Sequence, residues 1–268
     1  MAEKKKLKIG VLCICLNQPY WSFAQELLWG VRTFFLKGHE VDIHFWSDMP
    51  EGTVKGEGIF VYPTEPAQWP LPTLLRYNLF LQQEEHLKDY DYLFYIDVDM
   101  RITDWITDEI LGEGLTAAQH PMYALRDNLY PPYEPNPEST AYIPLPGKTI
   151  EKDGKKLFQP YYYAGGFQGG RTMDFLAACK VMKDRTERDF NRNYIARWND
   201  ESHWNRFLYE NPPAVVLSPS YIYPDSLISE YYIKLWGRNY SPKIVTITKK
   251  FTVTKEGGAA VNQQLTTM

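Results

Sequence analysis

Two aspartates, Asp97 and Asp99, offer the clearest chemistry in the sequence, because they directly follow the apolar run Tyr92–Ile96. That run predicts a buried strand, and open α/β sheets bind their ligands at the carboxyl ends of such strands. Carboxylate oxygens suit Mn²⁺ or Mg²⁺, and a bound ion could stabilise a departing diphosphate. A D-x-D pair also arises by chance, so its place after the strand is what favours a metal site.

A second pair of acids, Asp200 and Glu201, stands at the start of a predicted short helix that reaches Tyr209. Acids at this place often only cap a helix and interact favourably with its dipole. A carboxylate directed into a cleft could instead stabilise or attack a positively charged sugar carbon. The residues alone leave both explanations open.

The segment Tyr161–Gly170 carries four glycines among its last seven residues. Glycine permits backbone conformations and close approaches that other residues do not. The segment therefore predicts either a tight turn or a stretch of backbone lying against a ligand. It matches neither the dinucleotide-binding pattern G-x-G-x-x-G nor a P-loop.

His120 and a group of lysines near the C-terminus are further candidates. A single histidine is more often a structural residue than a functional one. Lys243, Lys249 and Lys250 could fold over a diphosphate, or they could lie on a solvated strand.

The elements that must position these groups begin with a strand, a helix and a strand. Leu7–Leu16 is a continuous apolar run, and Tyr20–Leu36 has apolar residues at helical spacing. Val41–Trp46 alternates apolar and polar residues, as a strand does. This β-α-β opening predicts a doubly wound nucleotide-binding domain. Further expected elements are the strands Ile59–Tyr62, Phe158–Tyr163 and Ala214–Leu217 and the helices Leu74–Leu87 and Thr172–Arg188.

Composition narrows the classes of function. The 268 residues carry a net charge of −4, which argues against a nonspecific nucleic-acid binder. No stretch approaches the roughly 20 apolar residues of a membrane helix, so we expect a cytoplasmic protein without a membrane anchor. We also expect a single domain over residues 1–256 and a flexible tail over 257–268, while the oligomeric state stays open.

Taken together, these stretches resemble glycosyltransferase family 6, the family of the histo-blood-group A and B transferases and the α-1,3-galactosyltransferases. The resemblance is carried, in the order of the family, by Gly38-His39, Phe45–Pro50, Asp91–Met100, His120-Pro121, Ser139–Pro144, Tyr161–Gly170, Trp198–Asn205 and Leu217–Tyr221. It implies a GT-A type fold, in which helices flank a Rossmann-like mixed central sheet. It also implies transfer of a sugar from a uridine diphosphate (UDP) donor into an α-1,3 linkage with retained anomeric configuration.

The resemblance assigns roles to individual residues. Asp97 and Asp99 match the residues that bind Mn²⁺, with Mg²⁺ as a second option, together with the donor diphosphate and ribose. Glu201 matches the catalytic carboxylate beneath the anomeric carbon, which acts as nucleophile or as charge stabiliser. The remaining donor-binding expectations are Cys15, Tyr20, Arg76, Ala164, Gly165, Gly166, Asp200, Lys243 and Lys249. The acceptor-binding expectations are His120, Tyr163, Trp198 and Asp225.

The resemblance also bears on the choice of substrate. Small residues at Ala164 and Gly166 leave room at the donor 2-position, which favours N-acetylgalactosamine over galactose. The implied acceptor is a galactoside or a larger oligosaccharide, with a 2-fucosylated galactose as the expectation. Met122, Asn199 and Trp204 depart from the usual residues near the acceptor. Many soluble bacterial relatives carry asparagines in place of the D-x-D pair, so retention of both acids predicts metal dependence here.

Two readings from other classes stay open at this point. One is a noncatalytic glycan-binding module on a transferase fold, and the other is a UDP-sugar hydrolase. Retention of Asp97, Asp99 and Glu201 speaks against the first, whereas an acceptor that accelerates UDP release would speak against the second.

Overall fold

The computed structural model describes residues 5–124, 131–144, 150–152, 155–157, 161–225 and 240–249. The strands are β1 Lys8–Cys15, β2 Glu40–Ser47, β3 Ile59–Pro63, β4 Tyr92–Ile96, β5 Met100–Ile102, β6 Leu115–Gln119, β7 Ile150–Lys152, β8 Lys155–Leu157, β9 Tyr163–Arg171, β10 Val215–Leu217 and β11 Ile244–Thr246. The helices are α1 Gln18–Phe34, α2 Leu71–Leu74, α3 Arg76–Gln82, α4 Glu84–Leu87, α5 Thr172–Phe190 and α6 Asn199–Glu210. Short 3₁₀ turns cover Asp108–Ile110 and Pro219–Ile222.

Seven strands form one mixed sheet in the order β10-β6-β9-β4-β1-β2-β3. β4, β1, β2 and β3 run parallel, whereas β9 is antiparallel to both β4 and β6. The carboxyl ends of β1, β4 and β6 therefore share one edge of the sheet with the amino end of β9. This edge, which we call the site edge, is where open α/β sheets bind their ligands.

The sheet is buried on both faces, and successive residues of β1 alternate between the two. Val11 and Cys13 face the cluster formed with α1, whereas Leu12 and Ile14 face the cluster formed with α3, α5 and α6. Burial on both faces explains why the strands are nearly continuous apolar runs. None of the helices within the described ranges combines the length and the apolar character needed to cross a membrane.

The β-α-β opening and the central strand Tyr92–Ile96 are confirmed. The single helix expected over Leu74–Leu87 is wrong, because this stretch belongs to three short helices separated at Leu75 and Gln83. Only the last residue of the strand expected over Phe158–Tyr163 falls in a described strand, and 158–160 lie outside the described residues. Lys250 and the predicted tail, 257–268, lie outside them as well.

The turn considered for the glycine-rich segment is also wrong, since Tyr163–Arg171 is the strand β9 within the sheet. Close packing of β9 against β4 explains the glycines. A Cβ atom at Gly169 would lie only 2.9 Å from Phe94 Cα, so the two strands could not approach this closely with a larger residue.

Candidate active site

Asp97 and Asp99, which we call the strand-end pair, lie at the site edge directly after β4. The Asp97 amide donates a hydrogen bond to the Gly166 carbonyl at 3.0 Å, which ties the pair to the start of β9. The Asp99 carbonyl accepts from the Ile247 amide at 2.9 Å, which brings the chain after β11 to the same place. The predicted position of the pair at a strand end is thus confirmed.

One oxygen of the Asp97 carboxylate is held by protein, and the side chain is 32% exposed. Its Oδ1 accepts from the Tyr95 hydroxyl and lies 3.4 Å from Arg76 Nη2. A Cβ atom at Gly166 would overlap Met100 Cε and would lie 2.7 Å from Asp97 Oδ2. Glycine at this position therefore lets Met100 and Asp97 pack closely against β9.

Asp99 is covered by a lysine from the C-terminal part of the chain. Lys249 Nζ lies 2.7 Å from Asp99 Oδ2 and 5.1 Å from the centroid of the Tyr20 ring. Burial and the neighbouring Asp97 raise the pKa of Asp99, while Lys249 lowers it. Burial opposes the charge of Lys249, but Asp99 outweighs it and raises the pKa of the lysine to about 12. Lys249 thus reaches the strand-end pair, and Tyr20 lies beside its ammonium group.

Asp200 and Glu201, which we call the helix-start pair, lie in the first turn of α6. The Glu201 carboxylate accepts two hydrogen bonds, from the Gly165 amide at 2.7 Å and from the Tyr162 hydroxyl at 2.8 Å. Burial raises the pKa of Glu201 to about 7, although both hydrogen bonds favour the charged form. The Glu201 carboxylate therefore has a fixed orientation, and its pKa lies near neutral pH.

Arg76 joins the two pairs. Its Nη1 lies 2.9 Å from Asp200 Oδ2 and donates to the Gly165 carbonyl at 2.9 Å, and its Nη2 faces Asp97. The guanidinium also lies 4.1 Å from the centroid of the Tyr95 ring. Burial opposes the charge of Arg76, yet Asp200 and the other partners raise its pKa above the ordinary value. The expected donor-side arginine is therefore buried between the acids of both pairs.

Two polar atoms in this centre make no hydrogen bond to the described residues, namely Arg76 Nε and Asp200 Oδ2. Asp200 Oδ2 nevertheless lies 2.9 Å from Arg76 Nη1, so the two charges pair. Burial raises the pKa of Asp200 to about 6, and Arg76 counteracts this rise.

The residues also bear on whether a metal ion fits. Across the described ranges, no group of three or more histidine, cysteine, aspartate or glutamate side chains is arranged to hold an ion. The strand-end pair offers two hard carboxylate ligands, whose side chains are 32% and 17% exposed. This donor set suits Mn²⁺ or Mg²⁺ when phosphate oxygens supply the remaining ligands.

His120, expected on the acceptor side, follows β6 at the site edge. Its Nδ1 accepts from the Met122 amide at 3.2 Å, and its ring lies 5.7 Å from that of Tyr162. Burial lowers the pKa of His120 to about 4, so the ring is neutral at neutral pH. Trp198, which directly precedes α6, is 47% exposed and is open to a ligand. Tyr162 therefore links the surroundings of His120 to Glu201.

The structure does not bring every predicted residue to this centre. Lys243 lies elsewhere, because its Nζ contacts Glu109 Oε1 at 2.6 Å and the Trp105 carbonyl at 2.8 Å. Strand β11 separates Lys243 from Lys249, and six extended residues span roughly 20 Å. The structure therefore brings Lys249, but not Lys243, to the strand-end pair.

Tyr163, Cys15 and Asp225 also need comment. The Tyr163 side chain packs in the core and is 2% exposed, which does not support the expected contact with an acceptor. Cys15 ends β1 at the site edge, but it is buried, and burial raises the pKa of its thiol to about 12. Asp225 Oδ2 accepts from the Thr248 amide at 2.9 Å, so it holds the segment that carries Lys249.

Ala164, Gly165 and Gly166, expected on the donor side, occupy the amino end of β9 between the two pairs. Tyr95 and Tyr162 were missed by reasoning from sequence. Both stand in tyrosine-rich runs of predicted strands, and nothing in the runs distinguishes the tyrosine that faces a carboxylate from its neighbours.

Comparison with known proteins now adds to this geometry. The sequence model described as glycosyltransferase family 6 matches residues 1–244. The chain belongs to glycosyltransferase family 6. A seven-stranded mixed sheet flanked by helices is consistent with the GT-A type fold expected of the family.

Several curated family 6 proteins are similar to the chain. It is 29% identical to human globoside alpha-1,3-N-acetylgalactosaminyltransferase 1 over 82% of its own length and 62% of the relative. It is 29% identical to rat histo-blood group ABO system transferase 1 with the same shares. The O-antigen biosynthesis glycosyltransferase WbnI of Escherichia coli is 30% identical over 68% of this chain and 69% of the relative. The chain thus spans about three fifths of the length of the mammalian relatives.

Proposed function

We propose that this chain is a retaining α-1,3-glycosyltransferase that moves N-acetylgalactosamine from its UDP donor to the 3-hydroxyl of a galactoside. The observation that carries the proposal is the bridging of the strand-end pair and the helix-start pair by Arg76. One pair suits a metal-bound diphosphate and the other suits a sugar ring, and a nucleotide sugar contains these two parts side by side. The similar human protein is an alpha-1,3-N-acetylgalactosaminyltransferase, which supports the proposed sugar and linkage.

The strand-end pair would bind the diphosphate end of the donor. Asp97 and Asp99 would hold Mn²⁺, which supplies charge neutralisation for the leaving UDP. Lys249 already lies against Asp99, so a small movement would place its ammonium on a phosphate oxygen. Tyr20, beneath that ammonium, would contact the nucleoside.

The helix-start pair would act on the sugar. Glu201 would stabilise positive charge at the anomeric carbon as the bond to the phosphate oxygen breaks and its electron pair leaves with UDP. The acceptor hydroxyl oxygen then bonds to the same face of that carbon, and its proton passes to the departing phosphate oxygen. Asp200, in the first turn of α6 beside Glu201, would accept a hydrogen bond from a hydroxyl of the donor sugar.

The acceptor would enter beside Trp198 and His120. The exposed indole provides an apolar surface for the flat face of a galactose ring. Neutral His120 can exchange hydrogen bonds with sugar hydroxyls without adding charge. A 2-fucosylated galactoside is the acceptor that we propose to test first.

The donor preference rests on the small residues of β9. A Cβ atom at Gly165 would lie 3.1 Å from the Glu201 Cβ and 3.2 Å from Asp200 Oδ2. Space at this strand is therefore limited by the helix-start pair, and Ala164 and Gly166 add no bulk. We propose that an acetamido group at the donor 2-position uses the space that these residues leave.

A donor screen tests the proposal. Purified protein is incubated with UDP-N-acetylgalactosamine or UDP-galactose, with Mn²⁺ or a chelator, and with or without the 2-fucosylated galactoside. We expect a trisaccharide product and fast UDP release only with Mn²⁺ and acceptor, and faster with the N-acetylated donor. UDP release that no acceptor accelerates would indicate a hydrolase, and acceptor binding without any UDP release would indicate a glycan-binding module.

A further inference from the structure

The turn that precedes the helix-start pair has a backbone that needs support. It begins at Asn193 and ends at Asn199, and both asparagines adopt left-handed conformations, with φ of 54° and 49°. Asparagine tolerates this region better than most residues, but the conformation remains unfavourable compared with an ordinary helical one. Such a turn keeps one shape only if the surrounding structure holds it.

Glu134 provides this hold from a distant part of the chain. It is fully buried, and its carboxylate accepts three hydrogen bonds. The donors are the Arg197 amide at 2.6 Å, the Tyr194 hydroxyl at 2.7 Å and the Asn136 amide at 2.8 Å. Two of these donors belong to the turn, so the Glu134 carboxylate binds the turn at both ends of the stretch Tyr194–Arg197.

The bond between Glu134 and Arg197 lies close in sequence to the proposed acceptor and sugar contacts, Trp198 and Glu201. Arg197 precedes Trp198, whose carbonyl accepts from the Glu201 amide at 3.0 Å. Tyr133, the residue before Glu134, supports the Glu201 carboxylate from another side. The Tyr133 ring lies 5.6 Å from that of Tyr162, whose hydroxyl binds Glu201. One short segment thus supports Glu201 through the backbone and through Tyr162.

We propose that Glu134 is a positioning residue that fixes the Asn193–Asn199 turn and thereby sets the aim of Trp198 and Glu201. The inference rests on the proposed function, because the aim of these two residues matters only if they bind and transform a sugar. Glu134 itself touches neither donor nor acceptor in this account.

A carboxylate is the group that this place requires, because three donors converge on its two oxygens. Glutamine has one oxygen and one NH₂ group, so Glu134→Gln would point an NH₂ group at an N–H donor. We expect this variant to release either the Arg197 amide or the Asn136 amide while conserving volume. The turn should then fluctuate, and Glu201 should meet the sugar in the wrong geometry more often.

Ser139→Ala provides a matched control on the same segment. Ser139 Oγ donates to Asp189 Oδ2 at 2.7 Å, so the control also removes a buried hydrogen bond that ties the segment to the protein. Ser139 makes no described contact with the turn itself, and the bond from the Tyr194 amide to the Asp189 carbonyl does not use the carboxylate that Ser139 binds. Faster exchange in 194–201 in Glu134→Gln than in Ser139→Ala therefore reports on the hydrogen bonds between Glu134 and the turn.

The experiment combines amide hydrogen exchange of the full chain with initial-rate kinetics for both variants. We expect Glu134→Gln to speed exchange in peptides covering residues 194–201 and to lower kcat by about 10-fold or more, with donor KM within about 3-fold. Ser139→Ala should leave both close to wild type. If Glu134→Gln fails to fold, Tyr194→Phe, which removes one donor, should give a smaller loss of kcat with the same unchanged donor KM.

Two results would overturn the inference. One is equal loss of kcat in Glu134→Gln and Ser139→Ala at equal stability, and the other is faster exchange in 194–201 with unchanged turnover. Absence of sugar transfer by the wild-type chain would instead refute the proposed function, and the exchange data would show separately whether Glu134 holds the turn.

Discussion

The two acidic pairs of the site edge differ in how the protein treats their charge. In the strand-end pair, the side chains of Asp97 and Asp99 are 32% and 17% exposed, and the cation on Asp99 is a single lysine. In the helix-start pair, the Asp200 side chain is 7% exposed and contacts Arg76, and both Glu201 oxygens accept hydrogen bonds. The first pair is open to a partner from outside, whereas the second is fixed by the protein.

This difference suggests a division of labour. The strand-end pair could exchange the partly exposed lysine on Asp99 for an ion and a diphosphate at each turnover, while Tyr95 and Arg76 keep holding Asp97. A fixed pair can present charge to a reacting carbon without reorganising, which is the main source of electrostatic catalysis. The predictions below change one pair at a time.

The largest effect is expected from changing the strand-end pair to Asp97→Asn and Asp99→Asn together. Two amides bind a divalent ion far more weakly than two carboxylates, so transfer in Mn²⁺ should fall below about 1% of the wild-type rate. A chelator should abolish wild-type transfer, and added Mn²⁺ should restore it, as measured by UDP release. Full wild-type turnover in the chelator would remove the metal role from this pair.

Glu201→Gln should produce the next largest effect. The amide conserves the shape but cannot offset positive charge, so kcat should fall by roughly 10²–10⁴-fold in a protein that still folds. The control is Asp174→Asn, an exposed acid in the first turn of α5, which should leave kcat unchanged. Turnover near wild type in folded Glu201→Gln would exclude this carboxylate from the chemistry.

The strand-end pair was largely predictable from sequence, because an apolar strand followed by two acids is a local pattern. The contacts that fix the helix-start pair were not, because they join distant residues. Tyr162 and Glu201 are 39 positions apart, and Glu134 and Arg197 are 63 apart. The family resemblance supplied the role of Glu201, but only the fold shows what orients it.

Prediction of the fold from sequence meets the same limit, because contacts between distant residues leave no local pattern. Continuous apolar runs gave β1 and β4 directly, since burial on both faces leaves a strong signal. The interruptions at Leu75 and Gln83 carry no proline or glycine, so no local pattern indicates that the helix is divided there. The glycines of β9 suggested a turn because their purpose, close approach to β4, depends on a strand far away in sequence.

Gly166→Ala should have an intermediate effect, centred on the strand-end pair. The added methyl group would overlap Met100 Cε and would lie 2.7 Å from Asp97 Oδ2, so both side chains must shift. We expect Mn²⁺ affinity in the presence of UDP to fall by roughly 10-fold, the scale of a disturbed ligand environment. Gly38→Ala is the control, because its methyl group would meet nothing within 4 Å. Equal Mn²⁺ affinity in both variants, measured by calorimetry, would contradict the geometry.

The smallest effect concerns stability and pH. Burial raises the pKa of Glu201 from 4.5 to about 7, so the folded state binds the proton more tightly than the unfolded state. The free energy of unfolding contributed by this group is therefore highest below pH 4.5 and falls as pH rises to about 7. Glu201→Gln lacks this penalty, so its Tm relative to wild type should rise by roughly 2–6 °C across that window.

This comparison is made in chelator without donor, with Asp174→Asn as the control. Parallel Tm curves for wild type and Glu201→Gln between pH 4.5 and 7.5 would show that burial of the Glu201 carboxylate does not destabilise the folded protein.

The measurement that tests the division of labour most directly is a calorimetric titration of Mn²⁺ and UDP into two single variants, Glu201→Gln and Asp99→Asn. If the strand-end pair binds the diphosphate and the helix-start pair acts on the sugar, Glu201→Gln should bind within about 2-fold of wild type. Asp99→Asn should lose about 10-fold or more in affinity. Equal losses in both variants, or a larger loss in Glu201→Gln, would contradict the account.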